Sequence, residues 1–212
     1  MRPDKDFAYW IGLAQSDGCL KRNRTKNTTV QFYVQFDNRN LALVKRFQEL
    51  VKFCLGREIQ VWPRKRGGYE CKVGVNTLLD EFDKLDVTFS DPPKPPNWII
   101  NSPELFCAYL AGIIDGDGDV RIRRPTCPQC VVRITSSKPQ LYLAEAIKVR
   151  LCKCSISSYA HPNMIEGREI FSRYSRLEFC ISNKNRNLVK RFLLPYLTSK
   201  HKYNKIANFL EN

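Results

Sequence analysis

The chain has 212 residues, 43% of them hydrophobic, enough to bury one sizeable core or two small ones and too apolar for a disordered segment. Its 35 Lys and Arg against 21 Asp and Glu give a formal charge of +14 and a pI near 9.5, which favours a polyanionic partner, nucleic acid above all. The apolar runs are too short to cross a bilayer and residues 1–6 lack the apolar stretch of a secretory signal, so a soluble, cytoplasmic protein without a membrane partner is expected.

In chain order, apolar spacing predicts a helix over residues 7–16, a short strand over 19–22 and an alternating strand over 29–37. On that strand Val30, Phe32, Val34 and Phe36 share one face, while Thr29, Gln31, Tyr33, Gln35 and Asp37 share the other. A helix over 40–55 follows, with Asn38 or Asn40 suited to its N-cap and Gly56 to its C-terminal stop. Strands at 58–64 and 69–75 flank the turn Arg66-Gly67-Gly68, and Asn76 is placed to cap a helix to Leu85. The stretch SDPPKPP, residues 90–96, admits neither helix nor central strand.

The second half repeats the order. A helix over 103–116, a hairpin of 119–124 and 129–136 around residues 125–128, and a helix over 139–151 with Pro139 in its first turn are expected. Strands at 155–160 and 170–182, a helix over 184–196 and a basic helix over 200–210 complete it. The fold class is therefore α+β: two pseudo-symmetric αββαββα modules with antiparallel sheets, over residues 1–90 and 103–212, joined by a Pro-rich linker at 91–102.

The chain contains nine cysteines. Cys54, Cys71, Cys107 and Cys180 stand singly in apolar runs and read as small buried hydrophobes. Cys127 and Cys130 have the spacing of half a zinc site, with Cys152 and Cys154 able to add two thiolates, against the alternatives of a local disulfide or free thiols.

Two segments, WIGLAQSDG at 10–18 and LAGIIDGDG at 110–118, carry nearly the same pattern 100 positions apart. Gly12 and Ser16 in one helix, and Gly112 and Gly116 in the other, recur four residues apart and so share a face where two backbones can approach closely. The helices are expected to pair and to deliver Asp17 and Asp117 together at their C-terminal ends, each followed by a glycine suited to a left-handed cap. A carboxylate at that pole meets the negative end of the helix dipole, an arrangement that makes sense if divalent cations sit there, held by Asp17, Asp117 and the main-chain carbonyls of Ser16 and Gly116. Asp115 and Asp119 lie outside this set, because their counterparts are Gln15 and Cys19.

Both segments resemble the signature of the LAGLIDADG homing endonucleases, in the single-chain form with two motifs. The second copy differs from it at two positions, and the first keeps Gly12, Leu13, Asp17 and Gly18. The resemblance implies a monomeric, intron-encoded endonuclease that hydrolyses both strands of a long, pseudo-palindromic DNA target, with Mg²⁺, replaceable by Mn²⁺, at Asp17 and Asp117. It also implies an accessory amide at Asn38, whose second-half counterpart is Ser136 or Ser137, and an accessory lysine at Lys200, with Lys94 as its first-half counterpart. An RNA maturase acting on intron RNA, or an inactive DNA-binding regulator of the same fold, are the alternatives.

The strand faces point to double-stranded DNA independently of that resemblance. Gln31, Gln35, Arg121, Arg123 and Arg133 lie on polar faces, where Arg reads guanine and Gln reads adenine in the major groove. Arg64 and Arg66 in the basic turn, and the tail at 200–202, suit phosphates.

Overall fold

A computed structural model describes residues 1–24, 30–124, 126–165 and 168–211, with the backbone alone over 161–165 and 168–172. Thr29 and Pro125, assigned above to a strand and a hairpin turn, lie outside the described residues.

The first module runs α1 (Lys5–Ser16), β1 (Gly18–Arg24), β2 (Val30–Asn38), α2 (Leu41–Leu55), β3 (Val61–Pro63), β4 (Tyr69–Gly74) and α3 (Leu79–Lys84). Its antiparallel sheet has the order β1-β2-β4-β3. The two long helices of this module begin where the sequence offers a cap. Asp4 accepts from the Phe7 amide of α1, and Asn40 from the Ala42 amide of α2, which ends at Gly56 in the left-handed region (φ 64°). Asn76 departs from expectation: it caps no helix, and instead bonds the Phe32 amide and the Val30 carbonyl, tying the chain after β4 to β2.

After the prolines comes α4 (Asn97–Ile100), a short turn of helix inside the segment expected to be plain linker. The second module then repeats the plan with α5 (Pro103–Asp117), β5 (Gly118–Arg123), β6 (Gln129–Ser136), α6 (Leu141–Arg150), β7 (Cys154–Ile165) and β8 (Arg168–Ile181) in the order β5-β6-β8-β7. α6 begins after Gln140, so Pro139 precedes the helix rather than opening it. The expected helix over 184–196 is broken: α7 (Arg186–Leu188) widens into a π-turn at Val189–Leu193 and closes as a 3₁₀ turn at Leu194–Tyr196, where Pro195 supplies no amide to the ladder. α8 (Lys200–Glu211) ends the described chain.

The apolar faces of both sheets close on α1 and α5, which lie at the centre, with Phe7 through Ala14 and Phe106 through Ile114 buried all round. Stacked rings fill the first module, Phe36 on Phe47 at 4.4 Å and Trp10 on Phe82 at 6.0 Å. Alternation along β2 holds: Val34 and Phe36 are buried, whereas Gln31 is exposed. Cys71, Cys107 and Cys130 are buried, and burial pushes each thiol up to about 12. Cys54 is half-buried, while Cys180, expected inside, is exposed, because the odd-numbered neighbours Phe179 and Ile181 take the inward face of β8. All nine cysteines are free thiols. Among the described residues no helix is long and apolar enough to cross a membrane.

Candidate active site and nucleic-acid interface

The crossing of α1 and α5 is a backbone-to-backbone contact. A Cβ on Gly12 would fall on the Tyr109 carbonyl oxygen, one on Gly112 on the Tyr9 carbonyl oxygen, and one on Gly116 on Ser16 Oγ. Ser16 stays small by folding its hydroxyl onto its own helix, donating to the carbonyls of Gly12 (3.0 Å) and Leu13 (3.1 Å). The four small residues at helical spacing are thus the ones at the interface.

Two buried tyrosines lock the crossing from opposite sides. Tyr9 donates to Asp115 Oδ2 at 2.6 Å, and Tyr109, its equivalent, donates to Gln15 Oε1 at 2.6 Å. The repeat is acidic in one copy and an amide in the other because their remaining partners have opposite polarity. Asp115 accepts from the amides of Thr198 (2.7 Å) and Ser199 (3.1 Å), whereas Gln15 donates to the carbonyls of Thr88 (2.6 Å) and Lys94 (3.1 Å). Asp115, left out of the sequence-derived site, therefore anchors the start of α8.

Asp17 and Asp117 emerge side by side where the helices end. Burial and the nearby Asp17 charge push the Asp117 carboxyl up to about 7, with Lys202 opposing. Burial also raises Asp17, against a 2.5 Å hydrogen bond from Asn38 Nδ2 and the charge of Lys202. The glycines that follow differ from expectation. Neither Gly18 nor Gly118 is left-handed, and Gly118 is extended (φ −78°, ψ 145°). Glycine is required there for space: a Cβ would lie 2.8 Å from Ala14 Cα at Gly18 and 2.6 Å from Ile114 Cα at Gly118.

Asn38, at the end of β2, bonds Asp17 and is itself fixed by accepting from the Asn40 amide at 2.7 Å. In the other half Ser136 turns its hydroxyl to the Lys138 carbonyl, and Ser137 donates to Asp91 at 2.9 Å, whose charge adds to the pressure on Asp117. Lys200 opens α8 and is exposed, and Lys94 pairs with Asp86 at 3.4 Å. The lysine at the centre is Lys202. Its Nζ donates to the carbonyls of Ile114 (2.7 Å) and Asp115 (2.8 Å) and feels the charges of Asp115, Asp17 and Asp117, while burial lowers its pKa. A sequence signal for it exists: Lys202 lies four and eight residues before Ile206 and Leu210, the buried stripe of α8.

Around this centre the polar faces spread outward. A depression of about 490 Å³ beside Asp17 is lined by Asp37, Asn38, Arg39, Arg64, Arg66 and Gly67. Arg64 pairs with Asp37 at 3.2 Å, and Gln35 donates to Asp37 at 3.0 Å and Glu70 at 3.4 Å. On the second sheet Arg121 pairs with Asp119 at 2.5 Å, and Arg123 and Arg133 converge on Glu178. Gln31 stands exposed at the outer end of β2.

The donor set, two carboxylates and helix-terminal carbonyls that have run out of helical donors, suits a hard divalent cation. Among the described residues no group of three or more His, Cys, Asp or Glu is set to hold a metal, which leaves the Cys127 and Cys130 pair without partners for zinc and requires backbone, water or a ligand to complete a site at Asp17 and Asp117.

No protein-family model matches the sequence. A curated relative from Methanopyrus kandleri, a component of its A-type ATP synthase, is 30% identical over 121 residues, which span 57% of this chain and only 11% of that protein. Solved structures are similar over nearly the whole chain. The homing endonuclease I-DmoI in complex with DNA and Ca has a TM-score of 0.59 and 17% identity, covering 100% of both chains. The LAGLIDADG meganuclease I-AabMI bound to uncleaved DNA has a TM-score of 0.58 and 11% identity, covering 100% of this chain and 91% of its own. The LAGLIDADG homing endonuclease I-LtrWI bound to target DNA has a TM-score of 0.56 and 12% identity, covering 98% and 91%. With two motif-bearing modules in one polypeptide, the chain has the fold of the LAGLIDADG homing endonucleases.

Proposed function

We propose that the protein is a LAGLIDADG homing endonuclease, intron-encoded and monomeric, that uses Mg²⁺ or Mn²⁺ to hydrolyse both strands of a long duplex DNA target. The observation that carries this reading is the shared centre of Asp17 and Asp117, two carboxylates brought together at the negative ends of abutting helices between the polar faces of the two sheets. Without a counter-charge the pair is frustrated, and Asp117 retains its proton up to about pH 7. A divalent ion held by Asp17, Asp117 and the carbonyls of Ser16 and Gly116 would neutralise that charge, activate water and stabilise the departing oxygen.

The chain's own groups divide the remaining work. Asn38 orients Asp17 through a direct hydrogen bond. Lys202, held on the last carbonyls of α5, places a cation beside both aspartates, where it can stabilise phosphate charge. Lys200 is exposed and contributes through phosphates, as do Arg64 and Arg66. Gln31, Gln35, Arg121, Arg123 and Arg133 read base edges in the major groove.

The test uses a supercoiled plasmid carrying the rejoined sequence that flanks the reading frame, incubated with Mg²⁺ and the wild-type protein, Asp17→Asn or Asp117→Asn. Metal-dependent linearisation that disappears in either variant is expected. Binding without nicking would instead identify an inactive DNA-binding regulator, and affinity for the intron RNA alone a maturase; either result overturns the nuclease reading.

A further inference from the structure

The polar faces of the two sheets are built on one plan but carry different charges. Gly18 pairs with Phe36 and Gly118 with Ile134, and Phe36 pairs with Cys71 where Ile134 pairs with Leu177. Counting along the strands from these matched positions, Gln35 corresponds to Arg133, Glu70 to Arg176 and Lys72 to Glu178. The charge is reversed at the last two.

In the second sheet Glu178 stands among three arginines. Its Oε1 lies 2.6 Å from Arg133 Nε, 3.1 Å from an Arg123 terminal nitrogen and 4.0 Å from Arg176, and Oε2 lies 3.3 Å from the same Arg123 nitrogen. Arg133 faces Glu178 directly across the β6–β8 pairing, whereas Arg123 reaches over from β5, one strand further away. Arg133 and Glu178 are well shielded, with side chains 14% and 20% exposed, against 41% for Arg123. The Arg133 Nε–H is buried and has no hydrogen-bond acceptor, so its contact with Glu178 is ionic and the guanidinium is held by charge.

A guanidinium held beside a carboxylate presents its remaining donors in a narrower range of directions and loses less freedom when it meets a planar acceptor pair. The same carboxylate repels phosphates and removes one unit of charge from a strongly basic face. Both effects trade indiscriminate attraction for geometry. We propose that Glu178 is a specificity-determining positioning residue, holding Arg123 and Arg133 for guanine edges in the half-site under the second module while weakening affinity for unrelated duplex. At the matched position of the first module Lys72 pairs with Glu70 at 3.2 Å, so the two half-sites are read by different chemistry and the target departs from a palindrome. The proposal rests on the DNA-binding reading above.

The experiment measures binding of a random-sequence DNA duplex pool, long enough to cover both sheets, across a KCl series, for wild type, Glu178→Gln and Glu178→Asp, followed by selection and sequencing of bound duplexes. For Glu178→Gln the expected result is about tenfold tighter binding to the pool, a log–log salt slope steeper by roughly one, and loss of guanine preference confined to one half-site. Glu178→Asp keeps the charge but not the reach, so it is expected to lose the guanine preference with pool affinity within about twofold of wild type. Unchanged pool affinity together with an unchanged selected sequence would overturn the proposal, as would a preference lost equally in both half-sites, which signals general damage. A wild-type protein that binds no duplex at all would overturn the DNA-binding reading and this inference with it.

Discussion

Gly112→Ala tests the packing on which the paired aspartates depend. The new methyl group would sit on the Tyr9 carbonyl oxygen, 2.8 Å from the Leu13 nitrogen and 3.1 Å from the Gly12 carbonyl carbon. Every obstacle is backbone of the buried span of α1, so no side chain can swing aside. Ordinary carbon contacts begin near ~3.5 Å, so the helices must separate by roughly 1 Å. Overpacking of this kind costs about 1–3 kcal/mol, and the rigid neighbours place it at the upper end. For a chain of this size ~3 kcal/mol lowers the melting temperature by roughly 6–12 °C, read by circular dichroism. Because the same crossing sets the spacing of Asp17 and Asp117, residual cleavage is expected to fall by about a hundredfold even below the melting transition. Gly74→Ala is the control, since a Cβ there meets nothing within 4 Å and Gly74 is not left-handed. If Gly112→Ala melts with Gly74→Ala and cuts at the wild-type rate, the close-approach argument is wrong.

The Asp117 carboxyl links stability to pH. Its pKa rises from an ordinary 3.8 to about 7, so the folded chain binds this proton more tightly than the unfolded chain and stability falls as pH rises from about 4 to about 7. The effect is at most ~4 kcal/mol, and Asp117→Asn, which removes it, is expected to melt roughly 5 °C above wild type at pH 8 in EDTA and level with it at pH 4. A gap that is the same at both pH values would contradict the assignment. Lys202→Met should lower single-turnover cleavage by about a hundredfold with DNA affinity within a few-fold of wild type, whereas Lys200→Ala should reduce affinity slightly and leave the single-turnover rate intact. The reverse pattern would return the accessory role to Lys200.

Much of the architecture is a local property and was readable as such. The apolar stripe of α2 and the nearly continuous apolar runs of α1 and α5 mark these helices to within a residue or two, because a stripe must be buried on one face and a helix apolar all round must lie inside. The recurrence of Gly12 and Ser16 with Gly112 and Gly116 marks the crossing because only residues without bulk permit it. The order αββαββα follows from the same periodicities read twice.

What tertiary structure alone decided are the pairings between elements distant in sequence. Whether Lys200 or Lys202 reaches the aspartates depends on how α8 is rotated, and that rotation is set by burial of Ile206 and Leu210 and by the grip of Asp115 on the Thr198 and Ser199 amides. The convergence of Arg123, Arg133 and Arg176 on Glu178 depends on the register of three strands, which no single strand encodes. Gly18 and Gly118 look from the sequence like turn glycines and prove to be spacers against the preceding helix turn, since the conformation of a helix end is chosen by what packs on it. A chain states its own periodicity; contacts are stated only when two segments, each indifferent to the other until they meet, exclude water between them.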